Sequence, residues 1–131
     1  MTTKVLTRGR GQGKTKELTQ WCLNNDNSVL IVPRQEHYCE IDSIVDDVEE
    51  NYTIVEGGGH TFELDYGRTF YVMSENIAYN SMRGRVLGRV GIDNFLQLNA
   101  PYGMLEVACN RTPNVAVTID DTQFEFVDSL R

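Results

Sequence analysis

The sequence predicts a three-layer α/β/α domain with a mainly parallel sheet and a β-hairpin insertion. Three observations predict it. Continuous apolar runs at residues 28–32 and 115–119 suit strands covered on both faces. Stretches with helical apolar spacing alternate with those runs. A Gly-rich loop at residues 8–15 joins a β-type run to an amphipathic helix.

In chain order, Val5-Leu6-Thr7 is the first β-type run, and residues 14–23 follow the loop as a helix with Leu18, Trp21 and Cys22 on one face. Trp21 is expected in the core. Asn24-Asn25-Asp26-Asn27 stops this helix, and Ser28-Val29-Leu30-Ile31-Val32 is the buried strand closed by Pro33. Across residues 35–51, Ile41, Ile44, Val45 and Val48 keep helical spacing while Glu40, Asp42, Asp46, Asp47, Glu49 and Glu50 form a solvated face. Short strands are expected at residues 52–55, 60–64 and 69–73, with turns at Gly57-Gly58-Gly59 and Asp65-Tyr66-Gly67. Residues 76–83 form a short helix, residues 94–98 an inner strand, residues 101–109 a helix, residues 115–119 a buried strand and residues 124–127 an edge strand.

With 131 residues the chain suits one domain, spanning residues 1–131. It is 40% hydrophobic and 24% charged, as expected of a folded globular protein, and no apolar run is long enough to span a membrane. Residues 1–7 lack the features of a secretory signal, so a cytosolic protein is expected. Cys22, Cys39 and Cys109 are few, distant and without C-x-x-C spacing, which points to reduced, mostly buried thiols rather than disulfides or a zinc site. A net charge of -7 argues against a surface devoted to nucleic acid. Positive charge nevertheless gathers at Arg8, Arg10, Lys14 and Lys16 and again at Arg83, Arg85 and Arg89, both clusters being expected near a bound nucleotide.

The loop Arg8-Gly9-Arg10-Gly11-Gln12-Gly13-Lys14-Thr15 has the parts that binding a nucleoside triphosphate requires. Gly9, Gly11 and Gly13 allow the backbone to wrap phosphate oxygens, Lys14 supplies an ammonium, and the Thr15 hydroxyl is the candidate Mg²⁺ ligand. ATP and Mg²⁺ are the expected cofactors, with Arg8 to Lys16 as the binding segment. The pattern G-x-x-x-x-G-K-[ST] is missed at one position, where Arg8 precedes Gly9.

Arg10-Gly11-Gln12-Gly13-Lys14-Thr15 fits the form R-x-x-G-K-[ST] common in phage terminase large subunits. Val29-Leu30-Ile31-Val32-Pro33-Arg34, the hairpin through Asp65-Tyr66-Gly67, Met82-Arg83-Gly84-Arg85 and residues 91–100 follow in the order such proteins show. From Lys4 to Ile119 the chain thus resembles the ATPase domain of terminase large subunits and related helicase-like, RecA-like P-loop proteins. The resemblance implies a P-loop NTPase fold, ATP binding, a phage or mobile-element origin, residence in the host cytoplasm, and a role in nucleic-acid processing or DNA packaging. It also implies that Arg10 senses or clamps the γ-phosphate.

The resemblance calls for a Walker B strand ending in Asp-Glu, and its register sets Leu98-Asn99 there, where leucine serves neither the metal nor the attacking water. Two other carboxylate sources are Asp93, if the strand ends at Val90-Gly91-Ile92, and Asp120-Asp121 after the strand at residues 115–119. Lys14, Asp93 and Asp120 are therefore the candidate catalytic residues. A non-hydrolysing accessory protein acting through a protein partner or as a homo-oligomer, and a small nucleotide kinase with the arginine cluster as lid, are the alternative functions. For Arg83, Arg85 and Arg89, surface salt bridges, a trans-acting finger and nucleic-acid contacts all stay open. His37 and His60 are expected in surface or hydrogen-bonded structural roles.

Overall fold

The computed structural model describes residues 2–8 and 13–120, with side chains described for Lys4, Val5 and residues 13–119. Its elements run β1 (Thr2–Arg8), α1 (Lys14–Leu23), β2 (Ser28–Val32), α2 (Tyr38–Val48), β3 (Tyr52–Glu56), β4 (His60–Leu64), β5 (Thr69–Ser74), α3 (Glu75–Ser81), β6 (Val90–Ile92), α4 (Pro101–Arg111) and β7 (Asn114–Asp120). The described strands form one sheet in the order β1-β7-β6-β2-β5-β4-β3. β1, β7, β6, β2 and β5 are mutually parallel, and β3 and β4 extend the sheet as an antiparallel hairpin.

Pleating divides the core between the two faces. Leu30 and Val32 of β2 point to one side and pack with Leu18 and Cys22 of α1, Ile41 and Val45 of α2, and Phe62 and Phe70 of the hairpin region. Val29 and Ile31 point to the other and pack with Ala78 of α3 and Met104 and Ala108 of α4. All five β2 residues are buried, which is why the run Ser28-Val29-Leu30-Ile31-Val32 does not alternate. The expected α/β/α layering with a hairpin is therefore the observed fold.

Two segments differ from the sequence expectation. Residues 94–98 are no strand: Asn94 is left-handed at φ 51, and a single 3-10 turn occupies Phe95–Gln97. The inner strand is instead the three-residue β6, between β7 and β2. Gly91 at its centre weakens it as a free-standing strand, yet a Cβ there would stand 3.0 Å from Cys22 Sγ and 3.1 Å from Leu18 Cδ1. The missing side chain lets α1 sit close on the sheet. The expected edge strand at residues 124–127 lies outside the described residues.

Of the three cysteines, Cys22 is buried, Cys109 partly so and Cys39 exposed, so mostly buried thiols is corrected to one. Burial pushes the Cys22 thiol up to about 12, so it remains a neutral packing group at physiological pH. Among the described residues no helix is long and apolar enough to cross a membrane.

Candidate functional site

Because five strands run parallel, their carboxyl ends share one edge of the sheet, and α1 starts at that edge. Gly13, the residue before α1, has φ 77 and ψ 19, a left-handed conformation natural to glycine, and as the N-cap it offers the helix no side-chain hydrogen bond. The N–H groups of its first turn and the helix dipole favour an anion there. Lys14 follows and is buried, at 9% exposure, Thr15 is half-buried, and Lys16 is exposed. Gly9, Arg10, Gly11 and Gln12 lie outside the described residues, and Arg8 is described only as the last residue of β1.

Asp93 stands at the same edge, directly after β6. It is 2% exposed, and its backbone N–H donates to the Ile31 carbonyl at 2.9 Å, which fixes it beside β2. Its carboxylate joins two further elements. Thr15 Oγ1 donates to Oδ2 at 2.9 Å, and Thr118 Oγ1, fully buried on β7, donates to Oδ1 at 2.6 Å. The Thr118 hydroxyl also accepts the Asn94 N–H at 2.8 Å, and Asn94 Nδ2 reaches Oδ2 at 3.3 Å. A hydroxyl that donates its proton to a carboxylate keeps its lone pairs for another partner. Thr15 and Asp93 thus present hydroxyl and carboxylate oxygens side by side, a donor set suited to a hard divalent cation.

The structure brings Thr15, the residue after Lys14, and Asp93 together across 78 residues of chain. It does not bring Leu98-Asn99 to the end of a strand. Leu98 is buried beyond the 3-10 turn, and the backbone N–H groups of Asn99 and Ala100 donate to Glu75, at 2.7 and 2.8 Å. The terminal position of the inner strand therefore falls to Asp93, with Asn94 next in the chain. Asp120 is opposite Arg8 in the β1–β7 register, and Asp121 lies outside the described residues. Sequence reasoning passed over Thr118, the residue that clamps Asp93. Its one signal was a hydroxyl inside an otherwise apolar strand run.

The second arginine cluster is not at this edge. Arg89 precedes β6 and thus lies at the amino ends of the parallel strands, where its guanidinium covers the Trp21 ring at 4.8 Å and donates to the Trp21 carbonyl at 2.6 Å. Arg85 covers the Tyr71 ring at 4.9 Å, and Arg83 is exposed. This corrects the expectation that both basic clusters flank one nucleotide, and it removes Arg89 from any lid. Of the histidines, His60 pairs with Asp42 at 2.9 Å, the hydrogen-bonded role expected of it.

Strand order and edge geometry are those of a P-loop ATPase-like fold: the strand leading to the glycine loop is separated from the strand that ends just before Asp93 by one inserted parallel strand. Solved structures of phage packaging proteins share that fold. The chain superposes on the large terminase of a thermophilic bacteriophage with a TM-score of 0.63 at 11% identity, covering 89% of this chain and 33% of the terminase. Another crystal form of that terminase, in complex with ATP-gamma-S, gives a TM-score of 0.61 at 12% identity, with 89% and 32% covered. The N-terminal domain of the DNA packaging ATPase from bacteriophage phi29 gives 0.58 at 10% identity, with 89% of this chain and 72% of that one covered. The chain spans about a third of the large terminase length. No protein-family model and no curated protein matches the sequence.

Proposed function

We propose that this chain is a single nucleotide-binding domain that holds ATP with Mg²⁺ at the carboxyl edge of its sheet, in a phage-type DNA packaging or nucleic-acid processing role. One observation carries the reading: the Thr15 hydroxyl and the buried Asp93 carboxylate meet at 2.9 Å beside the start of α1, next to Lys14. In it, residues 8–16 cradle the phosphates, with Arg10 at the γ-phosphate, Lys14 neutralises phosphate charge, and Thr15 and Asp93 hold the magnesium shell. The likeness to terminase ATPase domains supports the packaging part of the proposal at the level of fold.

Asn94 favours a second reading of the same site. An amide follows Asp93 where P-loop ATPases of this type place a glutamate to polarise water, and an amide does not accept a proton as a base. Hydrolysis is then slow or absent, and the domain acts as a nucleotide-bound accessory to a protein partner.

Isothermal titration with Mg·ATP tests the binding. Wild type binds, and Lys14→Ala weakens binding by about a hundredfold or more, as expected for losing a charge-assisted phosphate contact. Absence of binding by wild type, or unchanged binding by Lys14→Ala, overturns the proposal. Phosphate release by wild type and Asn94→Glu separates the two readings: rapid wild-type turnover stimulated by DNA favours the packaging ATPase, and turnover seen only in Asn94→Glu favours the accessory protein.

A further inference from the structure

Away from the nucleotide edge residues, the hairpin and α2 bring together three metal-binding side chains. Asp42 of α2, Glu56 at the end of β3 and His60 at the start of β4 place one ligand atom each within 4.8 Å of one another. Glu56 and His60 are direct cross-strand partners, so the register of the hairpin fixes their proximity. His60 Nδ1 stands 2.9 Å from Asp42 Oδ1. We propose that Asp42, Glu56 and His60 form a binding site for a divalent transition-metal ion of the Zn²⁺ type, which fastens the β3–β4 hairpin to α2.

Charge and geometry support this beyond the donor count. Two carboxylates gathered at one imidazole repel each other, and a divalent ion held between them offsets both charges. Bonds of about 2.1 Å hold the ligand atoms of one tetrahedral ion about 3.4 Å apart, so the His60–Asp42 hydrogen bond at 2.9 Å has only to open slightly to take the ion in place of its proton. Glu56 is exposed, and its carboxylate completes the set within the same 4.8 Å.

The imidazole is also held in place from behind. The Tyr38 ring packs on it with centroids 4.7 Å apart. Tyr38 is itself fixed, its hydroxyl donating to the Gly58 carbonyl at 3.0 Å and accepting the Ser74 N–H at 2.8 Å. A supported ligand is what a metal site needs from its surroundings. One nitrogen and two oxygens suit Zn²⁺ and its first-row neighbours better than Mg²⁺, which takes oxygen ligands. Three strand spacings separate β4 from β6, about 14 Å, so this ion and one held by Thr15 and Asp93 are distinct.

Titration of chelator-treated, nucleotide-free protein with ZnCl₂ tests the site, alongside NMR of the two histidine rings. One equivalent binds, the His60 ring resonances shift while those of His37 do not, and the melting temperature rises. Glu56→Gln, an exposed change that leaves packing intact, weakens Zn²⁺ binding by about tenfold or more, and His60→Gln abolishes it. No stoichiometric Zn²⁺ binding overturns the site. So does binding that survives Glu56→Gln with His60 unshifted, or that is lost only in Cys39→Ser or Asp93→Ala. ATP binding by Glu56→Gln stays at wild-type strength, so failure here is distinguishable from failure of the nucleotide site.

Discussion

The two ends of α1 carry polar contacts of opposite kinds. At its carboxyl end the exposed helix carbonyls are answered by the protein: Arg89 donates to the Trp21 carbonyl and Arg68 to the Leu23 carbonyl at 2.5 Å, while Arg68 also pairs with Glu49 at 3.2 Å. Cations at the negative pole of a helix are stabilising, and these arginines come from distant loops because α1 has no basic residue in its own last turn. At the amino end the N-cap residue Gly13 offers no side-chain cap, and the polar groups nearby, Thr15, Asp93 and Thr118, are joined to one another across three elements. One end is closed by arginines from elsewhere in the chain, and the other is the end to which the proposed function assigns the ligand. Equal numbers of charged residues near a helix therefore say little until one knows which end they face.

The largest effect on this contrast is expected from Asp93→Ala. It removes the acceptor of two threonine hydroxyls, one of them fully buried, which costs about 2–3 kcal/mol of stability. Under the proposed function it also removes a magnesium-shell ligand, so the dependence of ATP affinity on Mg²⁺, read by calorimetry, is lost. Wild-type Mg²⁺ dependence in Asp93→Ala would break the assignment of this end as the ligand end.

Arg89→Ala is the counterpart at the closed end. It deletes a charge-assisted hydrogen bond to Trp21 and a stacked cation, for a loss of about 2 kcal/mol in denaturant unfolding. ATP affinity of the folded fraction is unchanged. A variant of full stability with weakened ATP binding would reverse the two ends.

The layering was legible in the sequence because it rests on local pattern: β2 is apolar throughout, α2 keeps its periodicity, and turn residues bound the hairpin. The candidate site was legible in part. The glycine loop announces Lys14 and Thr15, but the strand that supplies Asp93 has three residues and a central glycine, and the more apolar-looking residues 94–98 outbid it. Gly91 is favourable only because Leu18 and Cys22 press on it, a tertiary contact that no window of sequence contains. The place of Arg89 follows from strand direction. A residue just before a parallel strand lies at the amino edge, so locating β6 four residues earlier settles both Asp93 and Arg89.

Arg85→Ala sharpens the comparison with the smallest effect. Like Arg89, Arg85 lies over an aromatic ring, with its guanidinium carbon 4.9 Å from the Tyr71 centroid. Arg85 is exposed where Arg89 is half-buried, and among the described residues Arg89 alone of the two answers a helix carbonyl. Water screens the exposed pair, so Arg85→Ala costs about 0.5 kcal/mol, against about 2 for Arg89→Ala. The difference between the two variants isolates what desolvation and the helix carbonyl add to an otherwise similar cation–ring contact. Equal losses would mean that the ring contact dominates, and that the closed end of α1 is held by Trp21 stacking rather than by its answered carbonyls.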